Sequence, residues 1–548
     1  MSGNLQGITS SDDEWNATLQ GDYLWSNVNF GEAVTKAMTP LAWSVLQFSL
    51  DDWVFIPGYP TVGNIGGIPY LNISVFASLF HALGRNRQDL LNTMEATLYM
   101  HLPEELEIAW IPLPPKKLLS SLYHSMQINI KQKRGIGKLT AYLETNPDWF
   151  QKTQKRIRAV ENKSELIKLW QDEMGPHIKR GVWCVLGSAT HSADYTIQLR
   201  RDLTDLVGPD DANILIANVS EGRGPLASLG PLVGLEKVAR GAMSKSAYLQ
   251  QHGHRGPHEF EISVPRPAED PEWLESEIAN YYANPVDVTA IRTKQEGQFH
   301  AAWERLQSRY PGNASTLSKR IAESARRVRL RENARSEYVR DRWAVRLFAL
   351  RAAELTGLGE DIFFLSLDEV LALLAGDETG VQAIHTRREK YQKYKPLPPY
   401  PSVIQGRFHP FEWAADPQRR SDIFIESITR SQLVHKTELG IINGSPGSAG
   451  QVEGVVRLLD TASGGSQFQK GEILVAVQTD IAWTMIFPRA AGIITDVGAP
   501  LSHAAIVARE LGIPAVVGCG DASIRLKTGD RVRVDGSRGQ VEILDRGN

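Results

Sequence analysis

Ile493-Ile-Thr-Asp-Val-Gly-Ala-Pro-Leu-Ser-His-Ala-Ala-Ile-Val-Ala-Arg-Glu-Leu-Gly-Ile-Pro-Ala-Val-Val-Gly518 reads as a buried strand, a bent loop, a short helix and a second strand. Gly498 and Pro500 mark the loop, Ser502 is a good N-cap, and His503 falls on the first turn of the helix. The free amides and positive dipole end at such a place favour an anion, so a phosphate carried on the imidazole is stabilised there. Histidine is chemically suited to be the carrier, because its neutral nitrogen is nucleophilic near pH 7 and the phosphoramidate it forms remains a reactive donor. Ala504, Ala505 and Ala508 keep the helix slim enough to lie close on a sheet.

Around this string lie short β-rich runs, Gln451–Leu459, Glu472–Val477, Gly492–Thr495, Val532–Asp535 and Gln540–Leu544, separated by glycine turns. Together they predict a compact α/β domain over residues 444–548, a normal size for an independent unit. Upstream, Lys395-Pro-Leu-Pro-Pro-Tyr-Pro401 favours extended backbone, and residues 395–443 read as a linker. Residues 1–394 read as a mainly helical domain. In it Ile321, Ala325, Val328, Val339, Trp343, Leu347 and Leu350 recur at helical steps, until Gly357 and Gly359 end the helix. The expected fold class is α/β multidomain, with the helical part N-terminal and the α/β part C-terminal.

The chain has 548 residues, too many for one core, with 42% hydrophobic and 22% charged residues and a net charge of −3. Nothing in that balance points to nucleic acid or a membrane as partner. Two cysteines, Cys184 and Cys519, are too few for a disulfide scaffold or a cysteine metal site and fit a reducing cytosol, so a cytoplasmic location is expected. The polar, acidic start lacks the order of a signal peptide, and no run is long and apolar enough to span a bilayer. No metal site is expected.

The string around His503 resembles the phosphohistidine swivel domain of the phosphoenolpyruvate-utilising enzymes, which include phosphoenolpyruvate synthase, pyruvate phosphate dikinase and rifampin phosphotransferase. The likeness extends through Thr479-Asp480, Trp483-Thr484 and Gly529-Asp-Arg-Val-Arg-Val-Asp-Gly536, with Ala499 standing where those families have the second loop glycine. Gly21–Val34, Thr39–Trp43, Tyr70–Ser74, His252–Glu261 and Asp361–Glu369 resemble the substrate-binding domain of rifampin phosphotransferase. That resemblance implies a helical acceptor-binding domain over 1–394, and it leaves no room for the ATP-grasp domain that the related enzymes carry.

The resemblance implies His503 as phosphoryl carrier, with Gly498 and Ser502 in its loop. Arg331 and Arg335 match an Arg and a Lys of the rifampin enzymes that greet the phosphoryl group. They lie four apart on one helix face, and guanidinium forks suit phosphate oxygens. His254, Arg255 and Glu259 cluster in a Gly/Pro-rich loop, where His254 or Glu259 could deprotonate a hydroxyl and Arg255 could touch substrate. The simpler reading is an Arg255–Glu259 pair. Trp25, among the aromatic residues of 15–80, is a candidate pocket wall, although ordinary core explains it equally. The expected function is transfer of phosphate through His503 to the hydroxyl of a small, natural-product-like molecule. No cofactor is bound by this chain alone, and the donor, ATP, comes through a separate ATP-grasp protein. Two alternatives stand beside it. One is a dehydratase, lyase or condensing enzyme of a biosynthetic pathway using His503 as acid/base; the other is a catalytically silent binding protein.

Overall fold

The computed structural model describes residues 13–547 except 29, 32, 87, 90–105, 218–225, 418, 428–439 and 501. The acidic segment before Asp13 and part of the expected linker lie outside the described residues. Two compact units emerge: residues 1–187, 258–265 and 337–433 form the first, and 188–257, 266–336 and 434–548 the second.

The first unit contains a five-stranded sheet of order β2-β3-β1-β4-β5, built from β1 (Leu24–Ser26), β2 (Val62–Ile65), β3 (Ile68–Asn72), β4 (Val403–Gln405) and β5 (Ile423–Ile425). β2 and β3 form a hairpin closed by Gly66 and Gly67, whose φ values of 57° and 86° suit the two-residue turn that matches strand twist. β1 runs antiparallel to both β3 and β4, pairing Trp25 with Asn72 on one side and with Ile404 on the other. Leu24, Leu71, Ile73, Val403, Ile423 and Ile425 bury one side of the sheet. β4 and β5 fall inside the stretch read as a linker: the proline run ends at a buried Tyr400 and passes straight into sheet.

Helix α1 (Pro40–Leu50) begins with Thr39 as N-cap and Pro40 in its first turn, and α2 (Ile73–Ala82) follows β3 directly. α3 (Pro115–Ala159), the start of α4 (Gly175–Ile216) and the end of α8 (Ala314–Thr356) complete the unit. These three helices share a buried polar knot. Tyr142 donates to Asp341 Oδ2 at 2.6 Å, and His177 Nε2 lies 2.7 Å from Asn146 Oδ1 and 3.4 Å from Asp341 Oδ1. Gly181 is obligatory beside it, since a Cβ there would sit 2.6 Å from Asp341 Oδ2.

The second unit joins the remainder of α4, α5 (Gly230–Ala239), α6 (Pro271–Ala283), α7 (Val288–Arg309) and the first half of α8 to an eight-stranded sheet. Its order is β6-β13-β12-β8-β9-β10-β11-β7: β6 (Ile441–Asn443), β7 (Ser445–Ser448), β8 (Gln451–Leu458), β9 (Ile473–Ala476), β10 (Gly492–Thr495), β11 (Ala515–Val517), β12 (Arg531–Asp535) and β13 (Gln540–Asp545). Successive residues of the central strands face opposite sides. Val475, Ile494 and Val516 enter a core with Val532, Val534 and Val541, whereas Leu474, Ile493, Ala515 and Val517 face helix α9 (His503–Leu511). The core on the α9 side also takes in Leu229, Leu232, Val286 and Val288 from the helical part of the unit. The architecture is a mainly helical N-terminal region with a C-terminal α/β sheet domain, as the sequence implies. Among the described residues no helix is long and apolar enough to cross a membrane.

Candidate functional site

The loop from β10 to α9 is shaped by what little room it has. Gly498 adopts φ 151°, and a Cβ there would meet Thr495 Oγ1 and Val517 Cβ at 3.1 Å. The chain then turns through a backbone bond from Ser502 N to Ala499 O at 2.8 Å, and Ser502 Oγ accepts from Ala505 N at 3.3 Å as the N-cap of α9. His503 is therefore the first residue of the helix, beside amides that have no partner within it. Its C-terminus is closed by Gly512 in the left-handed conformation, φ 64°.

His503 is buried, at 4% exposure, with Nε2 3.1 Å from Thr484 Oγ1 and its ring 6.4 Å from that of Phe487. Burial pushes its pKa down to about 3, with Arg335, then Arg255 and Arg331, adding to the fall and Glu332 opposing it. The imidazole is thus neutral at physiological pH and faces three guanidinium groups. Arg331 donates through Nε and Nη2 to Glu332 Oε1 at 3.2 and 3.0 Å. Burial would raise the Glu332 carboxyl, but Arg331, Arg335 and His503 together hold it below the usual carboxylate range. Half-buried Arg331 and Arg335 and buried Arg255 thus put positive charge on the ring, with Glu332 bonded to Arg331 among them, and a positive field of this kind favours an added anion.

Of the sequence-derived candidates, His503, Ser502, Gly498, Arg331, Arg335, Arg255 and His254 belong to the second unit. His254 Nε2 lies 3.0 Å from Ser336 Oγ, one residue beyond Arg335 on α8. Glu259 and Trp25 belong to the first unit. Glu259 is buried and follows His258, which takes φ 54° and whose Nδ1 lies 3.0 Å from Thr35 Oγ1. Trp25 is fully buried on β1, its ring edge-on to Tyr23. Sequence reasoning assigns no role to Glu332 or Thr484, although Glu332 sits between the two candidate arginines and Thr484 within the Trp483-Thr484 string. Among the described residues no group of three or more His, Cys, Asp or Glu side chains could hold a metal ion.

Residues 468–539 match the model of the PEP-utilising enzyme mobile domain, and residues 196–332 match the rifampicin phosphotransferase fourth domain. The prodigiosin synthesizing transferase PigC of Serratia marcescens is 31% identical over 317 residues, covering 55% of this chain and 33% of that protein. Rifampicin phosphotransferases of Streptomyces sviceus and Bacillus subtilis are each 30% identical, over 328 and 327 residues, covering 57% of this chain and 36% of those proteins. The chain thus spans about a third of the length of the curated relatives it matches. Both matched segments lie mainly in the second unit: His503 falls within the one similar to the mobile domain of the PEP-utilising enzymes, and the one similar to the rifampicin phosphotransferase fourth domain ends at Glu332.

Proposed function

We propose that the chain is a phosphotransferase in which His503 accepts a phosphoryl group and passes it to a hydroxyl of a small, natural-product-like molecule. The observation that carries this reading is the neutral imidazole of His503, buried at the start of α9 among Arg331, Arg335 and Arg255. A neutral ring is a nucleophile, and the three guanidinium groups with the helix amides offset the charge that arrives with phosphate. The donor is ATP, delivered by a separate ATP-grasp protein in the cytoplasm. Similarity to rifampicin phosphotransferases over the matched segment supports a phosphotransfer role.

The alternative use of His503 as acid/base in a lyase is disfavoured by the same ring. A ring held neutral by burial and by neighbouring guanidinium groups holds no proton to give as an acid near neutrality. Incubation with an ATP-grasp partner and γ-labelled ATP, followed by acid- and alkali-partitioned detection of label, tests the proposal. Acid-labile, alkali-stable label on wild type and none on His503→Ala is the expected result; unlabelled wild-type protein under conditions where the partner hydrolyses ATP sinks it.

A further inference from the structure

In the first unit, helix α3 buries one side and leaves the other to solvent. Ser121, Ile128, Gly135, Leu139 and Tyr142 share the buried side, where a Cβ on Gly135 would overlap the carbonyl of Trp183 on α4. The opposite side carries Leu119, Leu122, Tyr123 and Met126, spaced as one helical face. All four are exposed, Leu119 at 69%, Tyr123 at 57% and Met126 at 51%. α2 packs against α3 and adds exposed Phe80 and Leu83. Exposed Trp110 stacks on His81 of α2 with ring centroids 4.4 Å apart, and Ile111 N donates to Ser78 Oγ of the same helix at 2.9 Å. Seven of the eleven large exposed hydrophobic side chains among the described residues thus lie on α2, the segment beside it and the start of α3. Scattered singly they would be ordinary; gathered on neighbouring elements they mark an interaction surface.

The charge beside this face indicates what covers it. No Asp or Glu occurs from Ile108 to Leu143, whereas Lys116, Lys133, Arg134 and Lys138 are exposed along the same helix. Lys133 and Arg134 continue the face of Leu119, Tyr123 and Met126 two turns further on. A second copy of the chain would set these cations against each other; an anionic surface neutralises them. We propose that this face of the first unit rests on an anionic membrane surface. Leu119, Leu122, Tyr123 and Met126 enter the boundary between headgroups and acyl chains, and Lys133 and Arg134 meet lipid phosphates. Trp110 and Tyr123 suit that boundary, since each joins an apolar ring to a polar tip. The contact is peripheral, because among the described residues no helix is long and apolar enough to cross a bilayer. The net charge of −3 does not record it, since the acids that set that balance lie elsewhere in the chain. The inference uses neither His503 nor phosphoryl transfer.

Flotation of the full chain with vesicles of equal phosphatidylglycerol and phosphatidylcholine, against vesicles of phosphatidylcholine alone, tests the proposal. Flotation with the anionic vesicles, reduced at high salt, and little with the neutral ones is expected. Leu119→Ser combined with Tyr123→Ser should weaken binding about tenfold at an unchanged melting temperature, since both side chains are exposed. Lys133→Ala combined with Arg134→Ala should remove the preference for anionic over neutral vesicles. No flotation of the wild type, or undiminished flotation of both double variants, overturns the proposal. A lipid-free dimer in place of flotation, abolished by Leu119→Ser with Tyr123→Ser, assigns the face to a second copy and overturns it as well.

Discussion

Thr484 Oγ1 and His503 Nε2 lie 3.1 Å apart, with both side chains buried against the same sheet domain. This bond fixes the ring at one nitrogen and so decides which face and which lone pair meet a reacting group. Thr484→Val keeps the volume and removes the bond. About 1 kcal/mol is at stake for a neutral hydrogen bond, so turnover should fall roughly fivefold to tenfold with the melting temperature little changed. The ring ¹⁵N shifts of His503 should show mixed tautomers in the variant; a single unchanged tautomer would show that Thr484 does not orient the ring.

Arg335 is the charge that most strongly opposes protonation of His503, and Glu332 is the one that favours it. The two substitutions should therefore move the ring in opposite directions. Arg335→Ala raises the His503 pKa, and Glu332→Gln lowers it further, each read by NMR titration of the ring. Shifts of the same sign in both variants would contradict this electrostatic arrangement. Arg331→Ala should lower kcat more than it alters KM, by about 2–4 kcal/mol if its fork meets the phosphoryl group in the transition state. If both constants stay within about twofold of wild type, Arg331 serves Glu332 alone.

The folded pKa of His503, about 3, lies far below the value of about 6.5 expected in the unfolded chain. Between these values the unfolded chain binds a proton that the folded chain refuses. Stability is therefore complete above the upper value and falls as the pH drops through the window. His503→Gln should flatten this acid limb in urea unfolding measured across the range. Identical limbs in the two proteins would show that the ring charges freely in the fold.

How much of the molecule is legible in its residues depends on the range of the forces involved. The strand–loop–helix around His503 is readable because Gly498, Ser502 and Gly512 answer to local backbone demands. Five of the C-terminal strands, β8, β9, β10, β12 and β13, appear within one residue of the predicted bounds, set by alternating apolar residues and glycine turns, whereas the short β6 and β7 carry no such pattern. Glu332 and Thr484 are not readable as site residues. Their closeness to His503 comes from packing α8 and the segment before β10 against α9, and no sequence period records that. The proline run of 395–401 begins as a turn that closes the preceding helix, with Leu397 N donating to Tyr394 O at 3.1 Å, and β4 beyond it is only three residues long, too short to show a strand pattern. His254 and Glu259, five positions apart, divide between two units because the chain crosses at His258.

The buried knot of the first unit gives a prediction independent of function. Tyr142 donates to Asp341 Oδ2 at 2.6 Å, and Asp341 is fully buried. Tyr142→Phe removes a bond to a buried carboxylate and should cost about 1.5–3 kcal/mol, lowering the melting temperature by several degrees. Gly181→Ala, forced against the same carboxylate, should do at least as much. An unshifted melting curve for Tyr142→Phe would mean that the knot contributes nothing.

The last prediction concerns how His503 would travel. Within the second unit the sheet domain shares one apolar core with the helical part: Leu229, Leu232, Val286 and Val288 lie in the same cluster as Trp483, Phe487, Val507 and Leu511. α9 also meets α7 closely enough that a Cβ on Gly512 would overlap the Gln295 amide. A carrier that visits an external donor must open this contact and close it again in each cycle, on connecting residues that absorb the backbone change. A lyase that holds His503 docked needs no such opening. A disulfide engineered between α7 and the C-terminal end of α9 should therefore discriminate. On oxidation, one round of transfer from protein already phosphorylated should survive, because His503 remains where it is. Multiple turnover with the ATP-grasp partner should collapse, and reduction should restore it. Undiminished multiple turnover in the locked protein, with no nucleotide or partner present, would remove the carrier mechanism and leave the docked lyase in its place.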